Sequence, residues 1–187
     1  MFTRLYRQHH PHATFGAANY VTLTRAILTL WLLWLALQPA TPGRLWIGGW
    51  TAGLIAALDG VDGWLARRAG MSSAFGARFD METDAALLLV LSFFAWHARQ
   101  AGAWVMLIGL MRYLFVAAGW LLPWLTGPLT PTVRGKTVAA VQMVALAVSL
   151  VLPAAWAAPL AAGALTLLTW SFAVDVGRLW RQRPIAH

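Results

Sequence analysis

The sequence predicts an all-α, polytopic membrane protein with six transmembrane helices and cytoplasmic termini. Three observations carry that prediction. Of 187 residues, 60% are hydrophobic and 11% charged, whereas soluble domains average about 25% charged. Six apolar runs, each near the about 20 residues that a helix needs to cross a bilayer, are separated by proline, glycine or charge. Basic residues flank these runs, as in juxtamembrane segments that face anionic lipid. That placement argues against nucleic acid as the partner of a chain with net charge +8. There is no cysteine, which excludes disulfides and thiol chemistry.

The elements follow in order. Residues 1–18 carry Arg4, Arg7, His9, His10 and His12 and read as a cytoplasmic N-terminal segment. The histidines have no metal-site spacing and are tail residues by position. The first run, 19–38, is too long for a signal-peptide core and lacks a cleavage site, so it is read as retained. Pro39, Thr41, Pro42 and Gly43 end it. The second and third runs, 45–68 and 75–98, are joined by only 69–73. A fourth covers 104–124, then a loop with Pro128 and Pro131 leads to a fifth at 136–152. Pro153 separates the fifth from the sixth, 155–176; so short a turn also fits one kinked helix. Residues 19–187 form a single six-helix domain on this reading.

Lys and Arg in the loops set orientation. Six spans place Arg4, Arg7, Arg67, Arg68, Arg78, Arg134, Lys136, Arg178, Arg181 and Arg183 on one side, and Arg44 and Arg99 on the other. The richer side is predicted to be cytoplasmic, with both termini. Trp46, Trp96, Trp104, Trp124 and Trp180 fall near span ends, as an interfacial belt requires.

Six residues are acidic, and five of them fall between positions 59 and 84. Carboxylates inside a membrane are costly and mark functional sites. Asp59, Asp62, Gly63 and Ala66 share one helical face, and Gly76, Asp80 and Asp84 share a face of the next helix. The short connection makes the two helices antiparallel neighbours whose acidic faces can meet. Asp59 lies eight residues before Arg67, roughly 12 Å along a helix. Four carboxylates so placed repel one another unless a cation intervenes. An all-oxygen set suits Mg²⁺, Mn²⁺ or Ca²⁺. Two ions about 3.5–4 Å apart are the usual arrangement for displacement at phosphorus. The bland reading, solvated helix-end acids, suits Asp175 near Arg178 better than four acids in register.

The series Asp59-x2-Asp62-Gly63-x2-Ala66-Arg67-x8-Gly76-x3-Asp80-x3-Asp84 resembles the signature of the CDP-alcohol phosphatidyltransferases at every defined position. Asn19-Tyr20-Val21-Thr22-Leu23-Thr24-Arg25 is similar to the family's Asn-x-Leu-Thr-x-x-Arg opening, with Val21 in place of Leu and Ala18 in place of the preceding Pro. Gly135-Lys136-Thr137 resembles the start of its fifth helix. The resemblance implies transfer of a phosphatidyl group from CDP-diacylglycerol to an alcohol, with release of CMP, in phospholipid biosynthesis. It implies Asp59, Asp62, Asp80 and Asp84 as ligands for Mg²⁺ or Mn²⁺, two ions in all. Asp84 doubles as the base on the acceptor hydroxyl. Thr22, Leu23, Thr24, Arg25, Gly63, Arg67, Ser73 and Gly76 are implied as CDP-lipid contacts. A homodimer in the cytoplasmic (inner) membrane, with its active site facing the cytoplasm, is implied too.

The acceptor is not written in this signature. Arg112 lies mid-span and reads either as a ligand for an anionic acceptor or as a structural partner for an aspartate. Arg134 and Lys136 begin a helix on the cytoplasmic side. They read either as positive-inside anchors or as a pocket for an acceptor phosphate. Lys136 is the single lysine among 14 basic residues. This cluster leans toward a polyol phosphate or glycerol 3-phosphate. The glycerophosphate-using branch of the family often has Arg-Glu in the fourth span, whereas here Tyr113 follows Arg112. A second class, a divalent-cation transporter or channel, also places aspartates on paired helices. It does not account for Gly63 and Arg67 at fixed spacing, or for acids at one end rather than the midplane.

Topology is directly testable, because the chain has no cysteine of its own. A Ser72→Cys variant is expected to be shielded from an impermeant thiol reagent in intact cells, and Gly102→Cys to label. The reverse pattern inverts the orientation.

Overall fold

A computed structural model describes residues 17–69, 74–126 and 132–181; side chains at 17–19, 61–69, 74–75 and 126 stand outside that description. The segment 1–16, Ser73 and the loop prolines Pro128 and Pro131 fall outside it.

Proline, glycine and short turns divide the described chain into six α-helices. Helix α1 is Ala17–Ala36. Helix α2, Pro42–Ala69, starts with proline in its first turn, where a missing N–H costs nothing. Helix α3 is Ala74–His97. It closes through Arg99, whose φ of 59° lets the Gln100 N–H reach the Ala95 carbonyl at 2.9 Å. This left-handed closure stops a helix. A short 3₁₀ turn, Ala103–Val105, leads into α4, Met106–Leu121. Helix α5 is Val133–Val151, capped by the Thr132 side chain, which accepts from the Gly135 N–H. Helix α6 is Ala154–Arg181. Between the last two, Leu152 is extended (φ −79°, ψ 153°), so Pro153 separates two helices rather than kinking one. The last helix continues beyond the predicted 176.

Ala103–Leu121, Val133–Val151 and Ala154–Arg181 are long and apolar enough to cross a membrane. The protein is therefore a membrane-spanning, all-α bundle. Helix α1 adds a shorter apolar stretch, Tyr20–Ala36, while α2 and α3 carry the acidic residues.

Helix α1 packs on α2 and α3, α2 also on α5, α3 on α4 and α5, and α5 on α6. Leu32, Ile55, Leu91, Phe94, Ile108 and Leu146 form the shared core. Hydroxyls inside the bundle are satisfied by their own helices. Thr29 donates to the Arg25 carbonyl at 2.8 Å, Ser92 to Leu88 and Ser149 to Ala145, both at 2.7 Å. Water is absent from a bilayer core, so polar groups there need such internal partners. Amides join helices: Gln142 Nε2 donates to the Ala164 carbonyl at 2.9 Å and Gln100 Nε2 to Leu150 at 3.2 Å.

Among the described glycines, the tightest approach joins α3 and α4 at Gly109. A Cβ there would stand 2.9 Å from the Leu89 backbone nitrogen and 3.0 Å from the Leu88 carbonyl oxygen. Backbone cannot step aside as a side chain does, so any larger residue must push the helices apart. Small residues allow this kind of contact in membranes. Gly109→Ala is expected to lower stability by about 1–3 kcal/mol, the usual cost of overpacking. Gly53→Ala, where nothing lies within 4 Å, serves as the control that leaves the detergent-phase Tm unlowered.

Candidate active site

Three helices converge on one guanidinium. Arg25 on α1 is completely buried. Its Nη2 lies 2.8 Å from Asp59 Oδ1 on α2, and its Nη1 lies 2.5 Å from Asp80 Oδ1 on α3. Nη2 also pairs with Asp84 Oδ1, one helical turn after Asp80. The carboxylates are only half-buried, so the cluster opens toward one end of the bundle. Helical spacing explains the arrangement. Asp80 and Asp84, four apart, present one face of α3, and Thr22 and Arg25, three apart, turn inward from α1.

One oxygen from each of Asp59, Asp80 and Asp84 lies within 4.8 Å of the others. Among the described residues, a single guanidinium set against three carboxylates leaves two negative charges in excess. An all-oxygen set with that residual charge fits a hard divalent cation. The triad is therefore able to coordinate a dication of the Mg²⁺ or Mn²⁺ kind.

The remaining sequence candidates divide by position. Leu23 is 41% exposed and Thr24 is exposed, its hydroxyl donating to its own helix at the Tyr20 carbonyl, 2.9 Å away. These two turn away from the acidic cluster, whereas Thr22 and Arg25 turn toward the interior. Gly76 lies one turn before Asp80 on α3. Gly63 and the residues Asp62 and Arg67 lie on α2, but their side-chain surroundings, like all of Ser73, are outside the described residues.

Two further ion pairs border this cluster. Arg112 Nη2 on α4 meets Glu82 Oε1 on α3 at 2.5 Å. Its acidic partner is thus Glu82 rather than one of the aspartates. Arg134 at the start of α5 pairs with Asp175 on α6 and stands 5.7 Å from the Trp170 ring centroid. Asp175 lies 3.9 Å from Arg178, so its main partner is across the bundle, not along its own helix. Lys136 is exposed. Asp84, Arg112, Gly135 and Asp175 all line one cavity of about 270 Å³. Glu82 and the Arg134–Asp175 pair are what sequence reasoning missed. The available signal was chemical: opposite charges on apolar helices seek one another.

Residues 15–174 match the family model described as CDP-alcohol phosphatidyltransferase. The chain belongs to that family. No curated protein matches it. As a CDP-alcohol phosphatidyltransferase it is an enzyme of phosphatidyl transfer, and the convergent aspartates lie within the matched region.

Arg25 gives the cluster a direct test. Arg25→Met keeps the aliphatic stem and removes the charge. In chelator the variant is expected to lose about 3 kcal/mol or more, as when one partner of a buried ion pair is deleted. Added Mg²⁺ is expected to raise its Tm by more than it raises that of the unaltered protein, because three carboxylates then depend on the ion alone. Equal Mg²⁺ responses contradict the triad as a cation site.

Proposed function

We propose that this enzyme transfers the phosphatidyl group of CDP-diacylglycerol to an alcohol and releases CMP, at the cytoplasmic end of a six-span bundle. The supporting observation is the convergence of Asp59, Asp80 and Asp84 around Arg25. Membership of a transferase family favours this over the transport reading.

The residues divide the work as follows. Asp59, Asp80 and Asp84, with Asp62 completing the set, would hold two Mg²⁺ or Mn²⁺ ions. When bound, the metal neutralises the diphosphate and polarises phosphorus. Arg67 clamps the diphosphate through its planar fork. Thr22, Arg25, Gly63, Ser73 and Gly76 shape the nucleotide side of the site. Arg25 does so by holding the carboxylates in register, whereas Leu23 and Thr24 face outward from α1. Asp84 takes the proton of the acceptor hydroxyl. The hydroxyl oxygen then forms a bond to the β-phosphorus of the donor, the bond from that phosphorus to the bridging oxygen breaks, and CMP leaves with that oxygen. Diacylglycerol tails stay in the bilayer throughout, which explains a polar reaction site at a membrane boundary.

The acceptor enters through the cavity that joins Asp84 to Arg112 and Gly135. Arg112, Arg134 and Lys136 belong to that side of the site. The basic side of the bundle, with both termini, faces the cytoplasm, and the enzyme works as a homodimer in the cytoplasmic membrane.

Neutralising single acids separates these roles. Asp84→Asn is expected to lower CMP release by at least about 10²-fold, the usual size of a general-base contribution. It is expected to retain most CDP-diacylglycerol binding. Asp59→Asn is expected to lose both binding and turnover. Calorimetry of donor binding beside an acceptor-dependent CMP assay makes the comparison. If both variants behave alike in both measurements, the division into base and ligand is wrong.

A further inference from the structure

The cavity beside Asp84 has a composition unsuited to a second phosphate. Among the described residues, its charged lining consists of two carboxylates, Asp84 and Asp175, and one guanidinium, Arg112. That guanidinium is already held by Glu82 at 2.5 Å. Arg134, adjacent to the lining residue Gly135, is held by Asp175. Each arginine at the cavity thus has a carboxylate of its own. Lys136 is exposed and is not part of the lining. The rest of the wall is largely carbon, including Leu88, Ile108 and Phe172, with the buried hydroxyl of Ser171 among them.

A phosphomonoester carries about −1.5 to −2 charge at neutral pH. Entering here, it meets Asp84 and Asp175 and must take an arginine from Glu82 or Asp175. The displaced carboxylate is then left without its counter-charge, at a larger cost for the mostly buried Asp175 than for the half-exposed Glu82. A phosphate-free hydroxyl compound needs no such exchange. It presents one hydroxyl to Asp84 and an uncharged body to the carbon wall.

Resting on the transfer reading above, we infer that the acceptor is an alcohol without a phosphomonoester, and that Glu82 and Asp175 set this preference by occupying Arg112 and Arg134. The basic residues alone suggested a phosphorylated acceptor. The charges of Arg112 and Arg134 are present, but they are spent on Glu82 and Asp175, and Lys136 stands outside the lining. Glu82 is thereby a specificity-determining residue in the midst of the catalytic acids. It lies between Asp80 and Asp84 in sequence and points to a different helix.

Matched acceptor pairs test this with the full chain in liposomes containing CDP-diacylglycerol and Mg²⁺. The pairs are glycerol and glycerol 3-phosphate, inositol and inositol 1-phosphate, and monoacylglycerol and lysophosphatidic acid. CMP release is measured against acceptor concentration. At least one phosphate-free member is expected to exceed its phosphorylated counterpart by about tenfold or more in kcat/KM, a modest discrimination for one displaced ion pair. The first two pairs report a water-borne source and the third a lipid-borne one. Preference for the phosphorylated member in every active pair overturns the inference and leaves the transfer reading standing. No CMP release from any of the six overturns both.

The pairs themselves are tested by Glu82→Gln and, independently, Asp175→Asn. Either change is expected to lower the KM for glycerol 3-phosphate by about tenfold, since an arginine is released, with a smaller effect on kcat. Glu82→Asp, which keeps the charge, is expected to restore the original selectivity. Retained CDP-diacylglycerol binding checks that each variant is folded. If neither neutral variant improves use of glycerol 3-phosphate while both bind donor, the two carboxylates do not set the preference and the inference falls.

Discussion

Charge inside a membrane bundle must be balanced at hydrogen-bonding distance, and the contact of Arg25 with Asp59, Asp80 and Asp84 is where this protein does so. The four groups come from three helices. Their mutual approach fixes how α1 sits against α2 and α3, and so which end of the bundle is polar. Among the described residues the balance is incomplete in charge: one positive group serves three negative ones. A fully neutral cluster has no need of a metal, and an entirely uncompensated one resists folding. The partial compensation holds the bundle together and leaves carboxylate oxygens able to coordinate a dication.

Around this cluster the same rule operates twice more, with a different result. Arg112 with Glu82 and Arg134 with Asp175 are one-to-one pairs. They leave no comparable excess for an ion to neutralise. The acidic cluster and the neighbouring cavity therefore differ in electrostatic character although they share Asp84. Gly109 contributes to this separation. By letting α4 approach the backbone of α3, it brings Arg112, three residues later, within reach of Glu82.

The helices were legible in the sequence because apolar runs and prolines are local signals. The predicted runs coincide with α1 to α6, and the extended Leu152 decides between the two readings of Pro153. The acidic faces of α2 and α3 were legible for the same reason, since spacings of three and four define a face. What remained hidden was contact between helices distant in sequence. Arg25 read as a nucleotide contact because its motif suggested one, while its place among the carboxylates depends on how α1 docks. Asp175 read as a solvated helix-end acid beside Arg178, because that neighbour is close in sequence. Its stronger partner, Arg134, lies 41 positions away. Helix α6 runs on past the predicted 176 to Arg181, carrying charges that hydropathy counts as an ending but that helix geometry tolerates at a membrane surface.

The position of Arg25 also bears on how the chain enters the bilayer. Helix α1 is made before α2 and α3, with a guanidinium whose partners have not yet been made. Helix α2 follows with Asp59, and Asp80 and Asp84 arrive only with α3. An isolated arginine or aspartate inserts poorly into hydrocarbon. The first three helices thus have reason to remain together beside the insertion machinery until their charges meet, and to pass into lipid as a unit. Helices α4 to α6 contain stretches apolar enough to cross by themselves and face no such delay. The residues that assemble the reaction site would then also set the order of biogenesis.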